Sequence, residues 1–169
     1  VSPTVSTTLT INPYQPQITS ITASPSPAYR NQTVTLTASG VSILGADVNI
    51  QPIVRYYLDT NNNNTIDGGD TLIGSGDTNG VNFGVTTTFA TPGTYKILAR
   101  SSDPDNDVSS TVSTTLTINP YQLSITSVTF TGPNARPVKN DLLTFTANGV
   151  SVVGAPNGFT PTVQFYRDV

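Results

Sequence analysis

The chain repeats itself over the length of a whole domain. Residues 1–15 read VSPTVSTTLTINPYQ and residues 108–122 read VSSTVSTTLTINPYQ, with Pro3 against Ser110 the single difference. The match continues more loosely. Gly40-Val41-Ser42 returns as Gly149-Val150-Ser151, and the run from Val54 to Asp59 returns from Val163 to Asp168. The offset is 107 residues at first and 109 after a two-residue insertion near Pro133. Solenoid repeats are far shorter, about 20–45 residues. A self-match at this spacing therefore points to a tandem array of whole domains. A β-sandwich domain is about 100 residues long, so the period alone already favours that fold. By the same reading the chain begins and ends inside a repeat.

The composition agrees. Thr accounts for 29 residues, Cys, Met, Trp, His and Glu are absent, and all ten acidic residues are Asp. Good helix formers are scarce and Thr and Val are frequent, which favours strands. Thirteen Gly and thirteen Pro punctuate them. Strand patterns alternate with turn signals throughout. In Thr33–Ala38, Val34, Leu36 and Ala38 share one face while Thr33, Thr35 and Thr37 share the other. Val5–Ile11, Gln17–Ala23, Ile53–Leu58, Thr71–Ile73, Val81–Phe89, Tyr95–Arg100 and Val112–Ile118 read as further strands. Val54, Tyr56, Leu58, Tyr95, Ile97 and Ala99 are expected inward, with Lys96 and Arg100 outward. Seven or eight strands with turns every 8–12 residues predict an immunoglobulin-like sandwich, and Tyr95, just after Pro92-Gly93, stands where a tyrosine corner would stand.

Boundaries follow. Residues 1–15 are expected to be the last strand of a preceding domain. Residues 16–120 form a complete one, and residues 121–169 are the first three strands of the next. The linkers Asn12-Pro13-Tyr14 and Asn119-Pro120-Tyr121 are short and stiffened by proline, which predicts a rod. The run YYLDTNNNNTIDGGDTLIGSG, with PGTYKILARSSDPDNDVS after it, resembles bacterial Ig-like and PKD- or cadherin-like repeats of large secreted or cell-surface proteins. That resemblance implies all-β tandem immunoglobulin-like domains in a rod-like array, serving adhesion, spacing or matrix building.

Asp59–Asp70 (DTNNNNTIDGGD) is the sharpest local signal. Its twelve residues place oxygen donors at positions 1, 3, 5, 7, 9 and 12 of the calcium-loop template. Asp59, Asn61, Asn63, Asp67 and Asp70 offer side-chain oxygens and Thr65 its carbonyl. Calcium needs a chain that curls around it with an oxygen at every second residue, and this spacing supplies one. Asn64 stands where the template has a turn glycine, a place Asn tolerates, and Asp70 replaces a longer Glu. The same residue types also suit a polar hairpin turn. Asp103, Asp105 and Asp107 make a second candidate cluster. The resemblance implies a calcium role for it, since Asp-rich segments at the ends of cadherin-like repeats bind calcium, while the residues alone read more simply as a solvated acidic turn. Asn31 and Asn63 open N-glycosylation triplets.

Several function classes are disfavoured. Without His or Cys no Ser-His-Asp or Cys-His arrangement can be assembled, and a zinc site lacks its usual ligands, so catalysis is not expected. Seven scattered basic residues against a net charge of −3 leave no electrostatic footprint for nucleic acid. No apolar run reaches the length that spans a bilayer. The Thr/Ser/Asn-rich surface suits an extracellular or cell-surface setting. The leading expectation is thus a structural or adhesive repeat module stiffened by calcium, with neighbouring Ig-like repeats or identical subunits as its partners. A second is a subunit of an extracellular fibre assembled by strand complementation between chains. A third is a carbohydrate-binding module using Tyr14, Tyr57 or Tyr121. Tyr14 and Tyr121, however, sit in linkers and are expected to pack the domain junctions.

Overall fold

The computed structural model describes residues 2–46, 50–76 and 83–167. Among these residues the chain is all-β, with fourteen strands. In chain order the first unit holds β1 (Gln15–Gln17), β2 (Ser20–Ser24), β3 (Ala28–Tyr29), β4 (Thr33–Ser39), β5 (Ser42–Leu44), β6 (Ile53–Leu58), β7 (Thr71–Gly76), β8 (Gly84–Thr88), β9 (Gly93–Ser102) and β10 (Val112–Asn119). The second holds β11 (Gln122–Ser124), β12 (Ser127–Thr131), β13 (Thr144–Asn148) and β14 (Ser151–Val153).

Two sheets face each other in the first unit. One has the order β3-β10-β9-β6-β7 and the other β2-β4-β8, while β1 pairs with β5 beside them. Their inner faces close a single core. Ile21, Val34, Leu36 and Ala38 come from the smaller sheet; Val54, Tyr56, Ile97, Ala99, Leu116 and Ile118 come from the larger. This is a β-sandwich, and the alternation in the sequence accounts for it. Along β4 the apolar residues are buried and Thr33 and Thr35 face out. Side chains of period two cannot shift register without turning every buried residue outward.

Two short strands escape the sequence reading. Ala28–Tyr29 pairs in parallel with the end of β10, and Ser42–Leu44 pairs with β1. The stretch expected as a single strand from Gln17 divides because β1 belongs with β5 and β2 with β4. The opening of the expected Val81–Phe89 strand, Val81 and Asn82, lies outside the described residues, as does Asp168; the described part forms β8. Tyr95 does make a tyrosine corner. Its hydroxyl donates to the Thr91 carbonyl at 2.7 Å, and its ring lies 4.5 Å from that of Phe89. Tyr95→Phe is expected to cost about 1 kcal/mol, measurable as a lower urea midpoint with an unchanged slope.

The second unit repeats the first in register. Gln15↔Leu44 and Gln17↔Ser42 become Gln122↔Val153 and Ser124↔Ser151. Ser20↔Ser39 and Ala23↔Leu36 become Ser127↔Asn148 and Phe130↔Phe145. The corner glycines repeat too. Gly40 has φ +65° and Gly149 +62°, and a Cβ on either would fall 2.1 or 2.2 Å from Oγ1 of Thr19 or Thr126. Only glycine combines that dihedral with that close approach.

Two expected strands do not form ladders. Residues 2–14 pair with nothing among the described residues, although their copy at 112–119 is β10. Residues 163–167, the copy of β6, are also outside any sheet, so the second unit has four short strands in place of the expected three. The physical reason is the same for both. A strand is held by its neighbours: β10 by β9 and β3, and β6 by β9 and β7. Among the described residues no strand pairs with residues 2–14 or 163–167. Val128, Phe130 and Phe145, whose counterparts in the first unit lie against its core, are about half exposed.

Candidate functional site

The loop from Asp59 to Asp70 joins β6 to β7 and is closed by its own side chains. Asp59, just after β6, donates its backbone N–H to the Lys96 carbonyl at 3.0 Å, which fixes the loop to β9. Its carboxylate is buried, at 6% exposure, and accepts from the backbone of Asn63 (3.1 Å) and Asn64 (3.0 Å). Asn61 Oδ1 accepts from Asn63 N, and Asn63 Oδ1 from Thr65 N. These are Asx turns, in which a short polar side chain reproduces a backbone turn. They bend the chain through Asn62 and Asn64, both left-handed at φ 61° and 64°. Asn64 thus supplies the turn that the template assigns to glycine.

Asp67 is the hub on the far side. Its Oδ2 accepts from Asn61 Nδ2 at 3.0 Å and Asn63 Nδ2 at 2.7 Å, and its Oδ1 from Gly69 N at 2.7 Å. Asp70 spans the closing end, taking Thr60 N at 3.2 Å and Asp67 N at 3.1 Å. The Gly69 N–H, then the Asn63 and Asn61 amides, hold the Asp67 carboxyl below its ordinary value of 3.8. Such a depressed group contributes stability at neutral pH that is lost as the solution is acidified through its titration.

All donors here are hard oxygens, without a nitrogen or sulfur ligand, which suits calcium and not zinc. Among the described residues, however, no three Asp side chains are grouped closely enough to hold an ion by themselves. An ion would have to draw on the amides. Asn61 and Asn63 present their NH2 groups to Asp67 Oδ2, and rotating each amide by half a turn would present oxygen in its place at the cost of its Asx-turn bond to Asn63 N or Thr65 N. The six residues of the template are therefore in one closed loop, with donor chemistry that fits calcium and a hydrogen-bonded arrangement that also stands without it.

The Asp103–Asp107 segment is a turn between β9 and β10. Asp103 is 3% exposed. Its Oδ1 accepts from Asp105 N at 3.0 Å and Asp107 N at 2.9 Å, and Asn106 is left-handed at φ 69°. Asp103 Oδ2 and Ser101 Oγ are buried without a protein partner. The side chains of Asp105 and Asp107 are not drawn in around them as a carboxylate group.

Both glycosylation candidates have engaged amides: Asn63 Nδ2 on Asp67, and Asn31 Nδ2 on the Tyr121 hydroxyl at 3.4 Å. That second contact belongs to the junction of the two units. The Arg30 guanidinium stands 5.0 Å from the Tyr121 ring centroid, and the Phe159 ring of the second unit meets it edge to face at 5.5 Å. Gly154, at φ +85°, lies so close to the Tyr29 ring that a Cβ would sit 2.1 Å from Cδ1. The linker tyrosine thus packs the junction, as its position predicts. Tyr57, the remaining candidate sugar platform, lies on the outer face of the larger sheet with the Arg100 guanidinium 6.0 Å from its ring centroid.

No family model and no curated protein sequence matches this chain. Among solved structures it is similar to one described as "Structural basis for the promiscuous specificity of the carbohydrate-binding modules from the beta-sandwich super family", at TM-score 0.42 and 14% identity over 83% of this chain. The match spans about half, 52%, of that structure's length. At that level the likeness is too distant to carry a functional argument.

Proposed function

We propose that this chain is a structural or adhesive module of a tandem immunoglobulin-like repeat protein, extracellular or at the cell surface, with no catalysis of its own. The observation that carries the reading is the junction. A repeated linker, Asn-Pro-Tyr-Gln, puts Tyr121 in contact with Arg30 of the first unit and Phe159 of the second, and beyond it the strand register of the first unit begins again. A freely jointed chain would need no such packing, since a flexible linker keeps its ends mobile without contacts. The strand order, with a split first strand pairing β4 through β2 and β10 through β3, supports the immunoglobulin-like assignment. The test is small-angle scattering of the chain and of Tyr121→Ala. The parent should give a narrow distribution of maximum dimensions and the variant a broader one; equal breadth would remove the stiff-rod reading.

Calcium is proposed at the Asp59–Asp70 loop, held by Asp59, Asn61, Asn63, Asp67 and Asp70 with the Thr65 carbonyl. There it would supply charge neutralisation and rigidity to a turn anchored on β6 and β9. Calcium is expected to raise the melting temperature of the parent and not of Asp67→Asn. A chelator that leaves the parent's melting temperature unchanged in added calcium removes the metal from the proposal and leaves the module.

Strand complementation between chains is kept as a second reading because Val128, Phe130 and Phe145 present apolar surface on β12 and β13, and such surface with unpaired edges recruits further strands. Concentration-dependent filaments in electron micrographs would favour it; monodisperse monomers would dismiss it.

A further inference from the structure

We propose that the outer face of the larger sheet is a binding surface for a carboxylated polysaccharide. Strand alternation puts Arg55 and Tyr57 of β6, Lys96 and Arg100 of β9, and Ser113 and Thr115 of β10 on this face, opposite the core, with Leu98 of β9 fully buried beneath them. The chain has seven basic residues and a net charge of −3. Three of the seven, Arg55, Lys96 and Arg100, lie here, each partly exposed.

Two of them are direct cross-strand partners, Arg55↔Arg100. Like charges directly opposite each other on a sheet are destabilising, so the fold alone gives no reason for the pair. The neighbouring groups do not neutralise it. Arg55 Nη1 donates to Ser102 Oγ at 3.0 Å, a neutral hydroxyl, and Arg100 lies beside the Tyr57 ring. The acids that follow the same two strands are turned into their own turns: Asp59 accepts from Asn63 and Asn64, and Asp103 Oδ1 from Asp105 and Asp107, while Asp103 Oδ2 is buried. Among the described residues, no acid is paired with this positive row.

The shape selects the ligand. From the arginine pair to Lys96 is four residues of β9, about 13 Å along the strand. At that end the face runs into a groove of about 650 Å³ lined by Leu58, Asp59, Thr94, Lys96 and Thr115, among others, with the Asp59 carboxylate held by the Asn63 and Asn64 N–H groups of its own loop. A row of cations leading into a groove suits a linear polymer better than a compact ion. Guanidinium forks match carboxylates in bidentate geometry. The Tyr57 ring offers an apolar platform, and the Ser113 and Thr115 hydroxyls offer hydrogen bonds to uncharged sugar oxygens. Alternating carboxylate, hydroxyl and apolar ring surface is the chemistry of a polyuronate chain. The assignment stands independently of the spacer role, since it uses one face of one sandwich.

The test is affinity electrophoresis of the intact chain in polygalacturonate, with amylose and single-stranded DNA as comparison polymers. The parent should be retarded by polygalacturonate, progressively less as salt is added, and not by amylose. Arg55→Ser with Arg100→Ser should weaken the retardation by about tenfold or more, and Lys96→Ser should weaken it less. The double variant should melt no lower than the parent, because a like-charge pair has been removed, and that melt certifies its fold. Unchanged retardation of the folded double variant, equal retardation by amylose, or no retardation of the parent would each overturn the proposal. Tighter binding to DNA than to polygalacturonate would overturn it in favour of a nucleic-acid surface. If the double variant melts lower, Lys96→Ser alone decides, and its failure to weaken binding counts against the site.

Discussion

Replacing Tyr56 with alanine is expected to lower the unfolding free energy by about 3–5 kcal/mol, the range for emptying a large aromatic site. Tyr56 is fully buried at the centre of the larger sheet, between Ala99 of β9 and Gly74 of β7. Its hydroxyl donates to the Phe83 carbonyl and so ties β6 to the start of β8. Tyr56→Phe keeps the ring and loses that bond, for an expected cost of about 1–2 kcal/mol. The phenol also gives the fold an alkaline limit. Burial pushes it up to about 12, against a smaller opposing effect of a backbone hydrogen bond from Ala38. A raised folded value means that the native state keeps its proton when the unfolded chain has lost its own. The stabilisation is therefore fully present below about pH 10 and declines between about pH 10 and 12, by roughly 1.4 kcal/mol per pH unit. Urea midpoints measured across this range should fall for the parent. In Tyr56→Phe this component should be missing, and an identical decline in both would show that another group is responsible.

Asp59→Ala should be the most damaging change in the loop, with an expected cost of about 1–3 kcal/mol even in the absence of calcium. The carboxylate is buried and accepts two backbone N–H groups. Alanine leaves the Asn64 N–H without a partner, leaves the Asn63 N–H only Asn61 Oδ1, and loosens the turn through Asn62 and Asn64. Asp59→Asn retains one acceptor oxygen and should cost less. Amide hydrogen exchange at Asn63 and Asn64 gives the local readout, and should accelerate in Asp59→Ala and only modestly in Asp59→Asn. If the loop binds calcium, added calcium should widen the gap between the parent and both variants. A gap of constant size would assign Asp59 a purely structural role. Either outcome leaves the sandwich in place, because the core residues of the two sheets do not depend on the loop.

The loop was legible in sequence as a pattern of oxygens, because carbonyl and carboxylate spacing is a local property. Which atoms those oxygens face was not. Asx turns and metal ligation draw on the same side chains at the same spacing, and the structure resolves Asn61 and Asn63 with their NH2 groups on Asp67. The acidic turn behaves likewise. A run of Asp and Asn predicts a turn, while the burial of Asp103 beneath it comes from its place at the end of β9, next to the core. The cationic face was missed for a different reason. Arg55, Lys96 and Arg100 look scattered along the chain, and only the antiparallel register of β6 and β9 makes Arg55 and Arg100 neighbours.

The sequence by itself determined the all-β fold, the inward set of Val34, Leu36, Tyr56 and Ile97, the tyrosine corner and the recurrence of the whole pattern after about 107 residues. These depend on alternation, turn chemistry and self-similarity, which are written in neighbouring residues or in direct repetition. Tertiary structure decided which strands exist at all. The same residues, VSTTLTIN, are the eight-residue strand β10 between β9 and β3 and an unpaired segment at 5–12. A strand's hydrogen bonds are made with other strands, so its sequence sets only its readiness to pair, and the presence of a neighbour settles the rest.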